Sequence, residues 1–77
     1  MTSTENPAIK IGDRVRFRRG SRAWIFHGVE PDMRGNVVEV YADAHAKGAY
    51  KVDVSFSGLK ELKRGIDVAE LEVVGWG

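Results

Sequence analysis

Between residues 50 and 56 every second residue is apolar: Tyr50, Val52, Val54 and Phe56 alternate with Lys51, Asp53 and Ser55. In an extended strand successive side chains point to opposite faces, whereas a helix would scatter these residues around its whole circumference. The pattern therefore dictates a strand with one buried face, and such a strand needs neighbours. The rest of the chain supplies them. Ile9 and Ile11, then Val15 and Phe17 after the turn signal Gly12-Asp13, predict a first strand with Arg14, Arg16 and Arg18 facing the other way. Residues 35–41 predict a second strand, in which the adjacent Val37 and Val38 point to a bulge or to burial on both faces. Residues 42–48 read as the hairpin connection to the next strand. After the turn Ser57-Gly58, residues 59–63 predict a short strand before Arg64-Gly65, residues 67–70 one 3-10 turn, and residues 71–74 a last strand.

Five short strands and no helical periodicity predict an all-β fold, a small SH3-like five-stranded barrel with a long first loop and one 3-10 turn before the last strand. Closure into a barrel is expected because it removes exposed sheet edges. The 77 residues allow one domain, with a flexible tail over 1–7 and the SH3-like β-barrel over 8–75. A domain this short buries only about 60% of the surface its unfolded chain exposes, so a homo-oligomer or a larger partner would add stability.

The chain has no cysteine, which excludes disulfides, thiolate metal sites and cysteine nucleophiles, and suits a reducing, cytoplasmic setting. No apolar run approaches the roughly 20 residues that span a bilayer, and the polar start does not look like a signal peptide, so no membrane insertion is expected. His27 and His45 lack metal-ligand spacing, and Ser21, Ser55 and Ser57 lack a nucleophile elbow or an adjacent base. These features predict a chain with no enzyme activity, no metal and no cofactor. The net charge of +1 hides an asymmetry, since the basic residues cluster in the first half and the acidic ones in the second.

Four short segments, residues 12–17, 33–40, 50–56 and 70–74, resemble in that order the electron-transport accessory proteins, a group that includes an accessory protein of photosystem I and the variable chain of ferredoxin:thioredoxin reductase. The resemblance covers most of residues 11–74. It implies an SH3-like barrel without a cofactor that docks on a larger, redox-active protein. The start at Gly12-Asp13-Arg14-Val15-Arg16 and the ending Val68-Ala69-Glu70-Leu71-Glu72 are also similar to the plasmid-encoded type of dihydrofolate reductase. Gly65-Ile66-Asp67 stands where that family carries the Gln-Ile-Tyr segment of its active pore, so the activity is not carried over.

Two features single out a partner-binding surface. Arg14, Arg16 and Arg18, with Arg19 and Arg22, place five guanidinium groups within nine residues, a spacing suited to carboxylates or phosphates or simply to a solvated edge. The neighbouring Trp24, Phe26 and His27 offer large rings that serve either as interface anchors or as a lid on the core. The expected function is a non-catalytic accessory or adaptor module that binds a larger protein, acidic or redox-active, through this basic face and aromatic loop. The alternatives are a KOW-like RNA- or DNA-binding module and an oligomeric pore-type reductase.

Overall fold

A computed structural model describes residues 9–76, so the expected tail over 1–7 lies outside the described residues. The elements are β1 (Asp13–Phe17), α1 (Ala23–His27), β2 (Gly35–Ala42), β3 (Tyr50–Phe56), β4 (Lys63–Asp67), a 3-10 turn (Val68–Glu70) and β5 (Leu71–Trp76). All strand pairs are antiparallel, and the sheet order is β4-β3-β2-β1-β5. The all-β fold, the long first connection and the 3-10 turn are as the sequence predicts.

The alternation that predicts β3 buries Val52, Val54 and Phe56 almost completely. Val15 and Phe17 of β1, Val37 of β2, Ile66 of β4 and Leu71 of β5 meet them in one core, which also takes in Ile9 and Val29. At Val37/Glu39 the pairing of β2 with β3 shifts register, so the extra residue Val38 bulges outward and is exposed, which is the first of the two readings of the paired valines. Gly35 is needed where β2 crosses β3, because a Cβ there would stand 2.6 Å from Val54 Cγ1 and 2.8 Å from the Ser55 carbonyl oxygen.

Four expectations need correction. The sheet is not closed: β4 pairs with β3 and β5 with β1, and no ladder joins β4 to β5 among the described residues. The 3-10 turn carries the chain onward instead of reversing it into a hairpin. The turn packs against both β3 and β5, with Val68 against the core.

The first strand starts at Asp13, not at Ile9. The Asp13 N–H donates to the Lys10 carbonyl and the Lys10 N–H to Asp13 Oδ2, closing a tight turn that leaves Ile9 buried and Ile11 exposed. The fourth strand lies over Lys63–Asp67 and not over 59–63, because Ile66 is the residue that reaches the core while Leu62 stays outside. Arg64-Gly65 is then a bulge inside the strand, with Gly65 at φ 70° and its N–H donating to Asp53 Oδ1 at 3.1 Å. Asp53 also accepts the Tyr41 hydroxyl at 2.9 Å.

The first connection contains a short helix, α1, where none is expected. Its apolar residues are consecutive, so no 3.6-residue period announces it. Ser21 Oγ accepts the Ala23 N–H at one end, and Gly28, left-handed at φ 71°, stops the helix at the other.

Candidate functional site

β1 runs between β2 and β5, so its outer side chains stand in the middle of a sheet face and not at an edge. Arg14 and Arg16 alternate with the buried Asp13, Val15 and Phe17. Arg16 is opposite Glu72 on β5, and Arg16 Nε donates to Glu72 Oε2 at 2.6 Å. Its charge is therefore matched within the fold. Arg14 faces Gly75 and Asn36, neither of which carries charge.

The strand ends at Phe17, so Arg18 and Arg19 belong to the turn that follows and not to a continuous strand face. The Arg18 N–H donates to the Glu70 carbonyl oxygen, which pins the start of the connection to the 3-10 turn. Ser21 adds a second tie, its hydroxyl donating to Glu70 Oε1 at 2.6 Å. Both arginine side chains are exposed, and neither forms an ion pair among the described residues.

The aromatic residues divide. Trp24 is half-buried against the core, and its indole N–H donates to the Ser21 carbonyl oxygen at 3.0 Å, which fixes the ring. His27 turns inward and lies against Phe17, with ring centroids 6.1 Å apart, and Phe17 in turn stacks on Phe56 at 5.8 Å. Partial burial, and then the charges of Lys63 and Lys51, push the His27 pKa below its ordinary 6.5. Phe26 points the other way and is 86% exposed, next to Ile25 at 56%. Such exposure of a phenyl ring on a helix with no buried residue gives the fold nothing.

Beside α1 opens a groove of about 190 Å3, lined by Arg16, Phe17, Arg18, Arg19, Gly20, Ser21, Trp24, Pro31 and Asp32. The structure thus brings Arg16, Arg18, Arg19 and Trp24 to one place. Arg22 and Phe26 stand on the outer side of α1's segment, Arg14 lies further along β1, and His27 is half-buried against Phe17. Sequence reasoning passed over Glu70, Glu72, Pro31 and Asp32. Glu72 alternates with Leu71 and Val73, so its outward face was readable, but its pairing with Arg16 required the β1–β5 ladder. No group of three or more His, Cys, Asp and Glu that could hold a metal occurs among the described residues. No helix there is long and apolar enough to cross a membrane.

Fold and groove together define a small all-β domain, one unclosed five-stranded antiparallel sheet, that presents an arginine-lined, tryptophan-walled cleft beside a helix with Ile25 and Phe26 exposed. A stretch of 69 residues is 41% identical to part of E3 ubiquitin-protein ligase KEG of Arabidopsis thaliana, covering 87% of this chain. The chain spans 4% of the length of that curated relative. No family model matches the chain, and no solved structure does.

Proposed function

We propose that this chain is a non-catalytic binding module that docks on a larger protein through Phe26 and Ile25 of α1 and the arginine-lined groove beside them. The observation that carries this reading is Phe26, 86% exposed on a helix held in place at both ends. Large aromatics fixed at low entropic cost and rimmed by charge are the usual anchors of protein interfaces. The resemblance to the electron-transport accessory group supports the same kind of role, an accessory barrel on a larger assembly.

The likeness to a small part of a ubiquitin ligase supports a recognition role within such machinery. With no cysteine, the chain has no thiol to carry ubiquitin and no thiolate ligand for a zinc domain.

The test is photo-crosslinking from position 26, with benzoylphenylalanine in place of Phe26 and a control probe at the exposed Lys47. A discrete heterologous adduct from 26, absent from 47 and lost on Arg19→Glu, is the expected result. No adduct, or an adduct only between copies of this chain, would overturn docking on a larger protein.

A further inference from the structure

The groove beside α1 has a size, a charge and a wall that together specify what it takes. Its volume of about 190 Å3 is below the roughly 300–1,000 Å3 of cofactor and small-molecule sites, and fits one or two side chains. The Trp24 indole N–H is already bonded to the Ser21 carbonyl, so the ring offers the groove apolar surface held in one orientation. Pro31 also lines the cleft and likewise has no N–H to give. Polar recognition then falls to the arginines. Arg16 is engaged with Glu72, whereas Arg18 and Arg19 line the groove and carry no ion pair among the described residues. A guanidinium presents a planar fork of donors that pairs a carboxylate through two parallel bonds.

The arrangement of negative charge selects among anions. Asp32 lies on the groove lining, while Glu72 holds Arg16 and Glu70 holds Ser21. A continuous phosphate backbone, charged at every nucleotide, needs a longer basic track than a groove of about 190 Å3 with two unpaired arginines and Asp32 on its lining provides. A discrete carboxylate on a peptide needs only Arg18 and Arg19, and the neutral remainder of the peptide can lie beside Asp32. We infer that the groove is a recognition site for an acidic peptide segment, with an Asp or Glu carboxylate paired to Arg18 and Arg19 and an adjacent apolar side chain packed on the Trp24 ring. This rests on the docking reading above and names the chemistry of the partner.

The test is a titration followed by nitrogen–proton correlation NMR on the full chain. The probe is the synthetic peptide Gly-Ser-Glu-Leu-Glu-Ser-Gly, with its Gln-Leu-Gln counterpart and a thymidine oligonucleotide as comparisons. The acidic peptide should move the Trp24 indole N–H and the backbone amides of residues 18–21. The Gln version should bind about ten-fold more weakly, and added salt should weaken the acidic one. Arg19→Glu, an exposed position whose change leaves the core intact, should abolish the shifts while the rest of the spectrum stays in place. Unmoved groove resonances at millimolar peptide, equal binding of the Gln version, or tighter binding of the oligonucleotide would each overturn the inference. Persistent crosslinking from position 26 with a silent groove would sink this inference alone, whereas peptide binding without any crosslink would sink the docking reading alone.

Discussion

The β2–β3 hairpin and the connection between β1 and β2 are of similar length and are built on opposite terms. The hairpin is held by burial: Val37, Val52, Val54 and Phe56 are almost wholly out of solvent, and Gly35 lets the two strands touch. In the connection only Val29 is buried to that degree, and α1 buries no residue at all. It is held instead by a few polar ties near its start, Arg18 and Ser21 to Glu70 and Trp24 to Ser21. The molecule thus places apolar side chains inside the hairpin and leaves Ile25 and Phe26 outside on the helix.

The sharpest way to break this comparison is to strip the hairpin's core. Phe56→Ala should cost about 3–5 kcal/mol, comparable to the whole stability of so small a domain, so urea titration and circular dichroism should find the variant largely unfolded. A variant that melts near the parent temperature would show that the hairpin is not where the stability resides. Gly35→Ala comes next, at about 1–3 kcal/mol, since its new Cβ meets β3 backbone that cannot swing away. The Arg16–Glu72 pair, only partly shielded from water, should contribute about 0.2–1 kcal/mol in a double-mutant cycle with Gln at both sites.

His27 sharpens the comparison from the other side, because it is the point where α1 touches the core through Phe17. Its pKa is lower folded than unfolded, so the unfolded chain binds more protons in the window between the two values, and stability there rises with pH. The penalty is absent above 6.5 and grows as pH falls below it; the parent should therefore lose more stability than His27→Phe between neutral and mildly acidic pH. Identical profiles would mean that α1 is not seated on the core. The smallest change in stability belongs to Phe26→Ala, within about 0.5 kcal/mol in the same urea titration, although it should weaken capture of the partner at least ten-fold.

Legibility followed the same division. β3 was readable to its end residues, and the bulge at Val38 was among the readings, because burial on one face of a strand writes itself as period two. The connection was less readable. Five residues of helix, with Ala23 to Phe26 all apolar, leave no periodic trace, and only the tertiary fold decides that Trp24 leans inward and Phe26 outward. Residues 59–67 misled for a related reason: Leu59, Leu62 and Ile66 are equally apolar, and the register against β3 chose Ile66.

What the sequence determined by itself was the strand content, the hairpin joining β2 to β3 and the density of arginine near the end of β1. Those follow from local rules, in which each residue's role depends on neighbours a few positions away. The tertiary structure alone decided that the sheet stays unclosed with β4 and β5 at its edges, that Arg16 is neutralised by Glu72, and that Arg18, Arg19 and Trp24 share a groove. Each of these depends on pairing between residues far apart in the chain, and such pairing is settled by which apolar surfaces can be buried together, a property of the packed whole.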